Sequence, residues 1–339
     1  MDPEIAVYEA LAKEILRRCL AETPVTELYG WLAESLKRLG GGTQDGNAAM
    51  TWAESFVFTD QMLERFRMQA GLPPNERKEL TWPWASWNKY MDKLQPGFLA
   101  TITAPDGQGK STYVESVAEH WARGQHNVVY VHFELNRQVM MLRRLARHTS
   151  IEPRQIRGWD LTPEQESQIR QIRPLLESWD GHITYVHTPD WNMERTIAEL
   201  RRLNAEGLCD VVVVDYLEKA AASKRQIQLF GSNLYAREAD NVELLKSFAE
   251  TAEVPVVMVA QMSKAGKSAS FNTMDRTGMR GAGEKSEKAN LVVMLRREHE
   301  NGAYSPIVKV LIDKQTMGPT ASFEQIMRPA YFQVADLAV

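Results

Sequence analysis

The chain has 339 residues, 44% hydrophobic and 25% charged, enough for one large α/β domain with a real core plus a smaller module. The formal net charge of -4 excludes a global basic field, so any nucleic-acid surface must be local. Two cysteines, Cys19 and Cys209, lie far apart without metal-type spacing, which suggests neither a disulfide framework nor a zinc site and fits a reducing cytoplasm.

The first residues are acidic and amphipathic, and no stretch approaches the roughly 18 apolar residues of a membrane span, so a soluble, untargeted chain is expected. Residues 4–39 carry apolar side chains at helical spacing, including Ile5, Tyr8, Leu11, Ile15, Leu28, Leu32 and Leu36, with Thr23 and Pro24 as break and start signals. Two helices are predicted there and a third over Phe58 to Met68, giving a small all-α region over 1–75 that is a candidate surface for a protein partner. Residues 76–97, rich in proline and tryptophan, read as a linker, with Trp82, Trp84 and Trp87 packing on the core or a neighbour. From Phe98 to the end, residues 98–339, strand-like and helix-like stretches alternate: FLATIT, NVVYVHFE, HITYVH, VVVVD and VPVVMVAQ are separated by helical patterns. LVVMLR and IVKVLID follow as an expected antiparallel edge. Runs apolar on both faces are what buried parallel strands require, so a doubly wound, mainly parallel α/β sheet is predicted.

Between the first strand and its helix lies ITAPDGQGKST, residues 102–112. A phosphate loop belongs in that place because backbone N–H groups and a helix N-terminus there converge on an anion. Ala104, Asp106, Gly107, Gln108, Gly109, Lys110, Ser111 and Thr112 are its candidate nucleotide-binding residues, with Lys110 for the β- and γ-phosphates and Ser111 for Mg²⁺. Ala104 stands where the usual G-x-x-x-x-G-K-S/T pattern has its first glycine, and taken alone the loop also reads as a glycine turn. Three further strand ends decide the reading: Asp215 can hold Mg²⁺, Glu134 can polarise an attacking water, and Gln261 can hydrogen-bond a γ-phosphate. Each alone is an ordinary turn cap or polar strand end; together, in this order, they point to a nucleotide site.

The order Ala104-x4-Gly109-Lys110-Ser111, then FEL with Gln138 and Leu142-Arg143-Arg144-Leu145, then VVVVDYLE, resembles the motor domain of DnaB-type hexameric replicative helicases. That family commonly has alanine at the first loop position. LLKSFAETAEVPVVMVAQMSK, MRGAGEKSEKANLVVMLRRE and DKQTMGPT resemble its later motifs, with Asn290 where the family usually has aspartate; the likeness covers about residues 92–333 and leaves 1–80 unmatched. The resemblance implies a RecA-like P-loop ATPase core, ATP and Mg²⁺ as cofactors, a homo-hexameric ring, and single-stranded DNA, or RNA, as the track. It assigns Glu134 as catalytic base, Asp215 to the metal, Gln261 as sensor, and Lys314 to the neighbouring subunit's site. Thr316 stands where the family supplies an arginine finger, with Arg328, Arg296 and Arg297 as candidate substitutes. Basic loops after Asp215 and Gln261 place Lys224, Arg225, Lys264, Lys267, Arg276 and Arg280 where such rings face nucleic acid, although solvated basic loops would look the same. An ATP-dependent helicase or translocase is therefore expected; a RecA-type regulatory ATPase that controls assembly without unwinding is the alternative.

Overall fold

The structure is a computed structural model that describes residues 52–73, 79–133, 136–187, 189–263, 286–300 and 302–337, together with Lys13 and Arg17. The helices expected within 4–39, Glu134, and the basic residues Lys264, Lys267, Arg276 and Arg280 lie outside the described residues. Contacts divide the chain into two units, 1–77 and 78–339. In the first, α1 spans Trp52–Gly71, longer at both ends than its sequence pattern suggests. Among the described residues no helix is long and apolar enough to cross a membrane.

The second unit is built on one nine-stranded sheet. Its first five strands in chain order are β1 (Leu99–Ala104), β2 (Asn127–His132), β3 (His182–His187), β4 (Val211–Asp215) and β5 (Val256–Gln261). β6 (Leu291–Arg296), the short β7 (His299–Glu300) and β8 (Ala303–Tyr304), β9 (Ile307–Gln315), β10 (Ala321–Arg328) and β11 (Gln333–Asp336) follow. The order across the sheet is β11-β10-β9-β6-β1-β5-β4-β2-β3, with β7 and β8 forming a separate hairpin. β1 lies between β5 and β6 and is parallel to both, and β4 and β2 continue the parallel part. β6 was expected at an antiparallel edge together with β9; it is instead an inner strand, parallel to β1 and antiparallel to β9. β9 is an inner strand too, between β6 and β10, so the edge on this side falls to β11. LVVMLR is buried from Leu291 to Leu295 and β9 alternates buried and half-buried positions, a difference in how their faces are covered and not in their edge pairing.

Alternation along the strands separates two cores. Ala100, Ile102, Val213, Val257 and Val259 face one core, while Leu99, Val212, Val214, Val256 and Met258 face the other. The first core is covered by α2 (Ala85–Tyr90) and α3 (Lys110–Arg123), and α4 (Arg137–Thr149), α5 (Pro153–Gly158) and α6 (Pro163–Glu177) follow β2. On the opposite side lie α7 (Met193–Ala205) and α9 (Leu234–Ala252), with the short α8 (Lys224–Phe230) between them in sequence. Asparagine side chains start three of these helices: Asn136, Asn192 and Asn233 each accept a hydrogen bond from a backbone N–H three residues on.

Residues 79–94, read from sequence as part of a linker, pack on the first core. Trp82, Trp87 and Trp121 are almost fully buried, and Tyr113 of α3 stacks on Trp87 at 5.7 Å between ring centroids. Each indole N–H has an acceptor: Trp82 donates to Asp92 O, Trp84 to Val334 O, Trp87 to Gln325 Oε1 and Trp121 to Thr81 O. Burial of the rings and satisfaction of their polar edges together fix this segment against α3, β10 and β11.

Candidate nucleotide-binding site

The ends of β1, β4 and β5 open into a cavity of about 510 Å³. Lys110, Ser111, Asp215 and Gln261, drawn from three separate stretches of sequence, all line it. The parallel register produces this convergence: Ala104 is the partner of Gln261, so the strands end level with each other where the phosphate loop begins. Gly107 and Gly109 take left-handed backbone angles, φ 72° and 96°, which turn the loop sharply into α3. No side chain caps the start of α3, and its first residues, Lys110, Ser111 and Thr112, line the cavity, the setting in which a helix start can bind an anion.

The lysine ammonium is turned onto the loop itself. Lys110 Nζ donates to Ala104 O at 2.8 Å and Pro105 O at 3.2 Å and lies 3.8 Å from Asp106. With its side chain only 11% exposed, it is held over the loop, where a triphosphate would compete with carbonyl oxygens for its charge. Asp215 is buried beside it. Tyr130 Oη donates to Asp215 Oδ2 at 3.0 Å, while Oδ1 is buried and has no hydrogen-bond partner among the described residues. Burial pushes this carboxyl above its ordinary pKa, against the opposing pull of Ser111, Tyr130, Arg143 and Lys110. Gln261 is anchored through its backbone, its N–H donating to Glu218 Oε1 at 2.9 Å.

Five further lining residues were not singled out from sequence for this cavity: Arg143, Tyr216, Met327, Pro329 and Phe332. Arg143 lies 4.7 Å over the Phe332 ring, 3.4 Å from Thr112 Oγ1 and 3.4 Å from Glu115. Arg297, considered as a substitute for the finger of a neighbouring subunit, lines this chain's own cavity. Its guanidinium donates to Ser305 O at 2.7 Å and Tyr304 O at 3.2 Å. Cations, an aromatic ring, a thioether, hydroxyls and a carboxylate thus share one cavity lining, with Met327 close against Gly109 of the loop.

Behind the cavity, α3 and α4 are joined by buried charges. Glu115 pairs with Arg143 and Arg147; Glu119 pairs with Arg144 at 3.2 Å, Arg147 at 3.5 Å and His148 at 3.2 Å. Burial would raise the Glu119 carboxyl, but Arg147, His148 and Arg144 outweigh it and bring it down to about 2. At Glu115 burial prevails over Arg147 and Arg143, and its pKa is raised.

Other sequence candidates lie apart from the cavity lining. Lys314 Nζ donates to Ser286 O at 2.8 Å and Glu287 O at 2.9 Å. Thr316 donates through Oγ1 to Asn290 O at 3.2 Å, and Asn290 Oδ1 accepts from Lys246 Nζ at 2.9 Å and Leu99 N at 3.0 Å. Arg328 is exposed at the end of β10. Lys224 and Arg225 begin α8, an ordered helix capped by Ser223, where a flexible loop was expected. Arg225 is engaged by Glu194 at 2.6 Å and by Asp240.

Comparison with known proteins fits this geometry. DnaB of Geobacillus stearothermophilus, a replicative DNA helicase, is 24% identical over 255 residues, which cover 73% of this chain and 55% of that protein. Replicative DNA helicase DnaC of Bacillus subtilis is 24% identical over 243 residues, 68% of this chain and 52% of the relative. The chain thus spans about half the length of the curated relatives it matches. Among solved structures, the ATPase domain of G40P superposes with a TM-score of 0.72 at 16% identity, over 86% of this chain and all of that one. A DnaB-like replicative helicase, described with its interactions with primase, gives 0.72 at 15% identity over 99% of this chain and 75% of that chain. At such identities these likenesses establish the RecA-like ATPase fold. Residues 83–336 match the DnaB-like helicase C terminal domain, and the chain belongs to that family.

Proposed function

We propose that this chain is an ATP-hydrolysing DNA helicase or translocase that works on single-stranded DNA as a homo-hexameric ring. The observation that carries the reading is the convergence of Lys110, Ser111, Asp215 and Gln261 on one cavity at the strand ends. Backbone N–H groups of the phosphate loop and α3 bind the phosphates, and Lys110 leaves its carbonyl partners for the β- and γ-phosphates. The Ser111 hydroxyl and the Asp215 carboxylate, with its unpartnered Oδ1, suit Mg²⁺, which takes hard oxygen ligands. Such an ion would neutralise charge on the transferring phosphoryl group. Glu134, two residues beyond β2, is our candidate for the base that orients the attacking water, and Gln261 for the sensor of the γ-phosphate. Arg297 and Phe332 suit the nucleobase, offering a cation and a flat apolar face.

Lys314 is our candidate for a cation donated to the neighbouring site, Lys264, Lys267, Arg276 and Arg280 for the DNA track, and residues 1–75 for a protein partner. Lys224 belongs with that basic set by position, whereas the ion pairs of Arg225 reduce its claim. The test is ATP hydrolysis and strand displacement by a size-resolved oligomer, with and without single-stranded DNA, for wild type and Lys110→Ala. DNA-stimulated hydrolysis that drives displacement and vanishes in the variant supports the reading. Nucleotide binding without displacement would support a regulatory ATPase instead.

A further inference from the structure

We propose that Gln108 is a positioning residue that couples the phosphate loop to the base-facing wall of the cavity. This rests on the nucleotide-site reading and extends it to Gln108, named from sequence as a loop residue for the nucleotide, which is absent from the cavity lining and is bound to Arg297 instead. Gln108 sits between Gly107 and Gly109, both left-handed, and is only 3% exposed. Its Oε1 accepts a hydrogen bond from the backbone N–H of Arg297 at 2.8 Å. Arg297 is the first residue after β6, and its guanidinium closes back on Tyr304 O and Ser305 O, fastening the β7–β8 hairpin. Tyr304 lies beside the same loop: a Cβ added at Gly107 would come within 3.9 Å of its ring. One buried amide thus ties the loop that holds phosphates to the strand end that carries Arg297 and to its hairpin.

The chemistry calls for this side chain. A buried N–H that loses its acceptor is costly, so the Arg297 backbone would shift to find another. Methionine fills similar volume and accepts no comparable hydrogen bond. Asparagine keeps the amide but withdraws it by one methylene. Glutamate keeps the acceptor while adding a negative charge next to the phosphate site. Gln108 therefore acts on the nucleobase end through Arg297, and leaves the phosphate end to Lys110 and the loop backbone.

The test measures affinity of the full chain for ATP and for inorganic tripolyphosphate, which has no base, in wild type, Gln108→Met, Gln108→Asn and Gln108→Glu. Gln108→Met and Gln108→Asn should each lose about tenfold in ATP affinity, the worth of one buried hydrogen bond, with tripolyphosphate changed by less than about twofold. Gln108→Glu should weaken both ligands and keep their ratio. Arg297→Ala should lower ATP affinity by itself, and adding Gln108→Met to it should cost less than about twofold more, because Gln108, bound to the Arg297 backbone, acts on the base only through the Arg297 side chain. Parallel loss of ATP and tripolyphosphate in Gln108→Met and Gln108→Asn, unchanged ATP affinity, or additive effects with Arg297→Ala would overturn the proposal while leaving the nucleotide site standing. Failure of wild type to bind ATP would overturn both.

Discussion

Arg147 is the centre of the charge network that holds α3 to α4, and replacing it tests how far the helix after the candidate phosphate loop depends on buried ion pairs. Its side chain is 8% exposed and is shared by Glu115 and Glu119. Arg147→Met keeps much of the volume but leaves both carboxylates with weaker partners, which costs about 3–5 kcal/mol for a buried pair broken on one side. Glu119, held despite its burial at about 2 against an ordinary value of 4.5 by Arg147, His148 and Arg144 together, puts that whole cluster at about 3 kcal/mol in stability, of which Arg147 is the largest contributor. Because that folded-state pKa is depressed, the contribution is complete above pH 4.5 and is lost as pH falls toward 2; about 2 kcal/mol of it is gone by pH 3. Glu115 is raised by burial, so its protonation on the acid side also relieves the variant. Urea unfolding followed by fluorescence of the buried indoles at pH 7 and pH 3 measures the gap directly. We expect about 4 kcal/mol at pH 7, equivalent to roughly 10 °C in melting temperature for a domain of this size, and a clearly smaller gap at pH 3. A loss below about 1 kcal/mol at pH 7, or a gap that does not narrow in acid, would refute the assignment of stability to this network.

Asp215→Asn should abolish most of the gain in ATP affinity that Mg²⁺ confers, about tenfold or more, with little change in chelator, as read by calorimetry. Since burial raises the Asp215 pKa, the wild-type Mg²⁺ gain should shrink as pH falls toward that value and should be flat in the variant. Glu134→Gln should bind ATP with wild-type affinity and turn over at least about 100-fold more slowly; undiminished turnover would remove Glu134 from the mechanism. Charge reversal of both Lys264 and Lys267 should weaken single-stranded DNA binding and reduce the log–log salt slope by about 1.4, with ATP affinity spared. Thr316→Arg should raise DNA-stimulated hydrolysis by restoring a cation in trans; an unaltered rate in the same oligomeric fraction would place that cation elsewhere.

What the sequence determined by itself is what strand and turn chemistry encode locally. GQGKS between an apolar strand and a helix reads as a candidate phosphate loop, and the glycine turn and uncapped helix start that the structure has there are properties of adjacent residues. Asp215 and Gln261 were legible because a polar residue closing a run of valines must sit at a strand end. The tertiary structure decided whatever depends on which strands become neighbours. Arg143, Arg297, Met327 and Phe332 reach one cavity from α4, the end of β6, β10 and the turn before β11, and no periodicity links them. The same holds for Arg225, whose charge looked available for phosphate until folding brought Glu194 and Asp240 against it. LVVMLR shows the limit most simply. Two-sided burial can be read from its composition, but whether it lies at an edge or beside β1 depends on long-range pairing, which local sequence does not record.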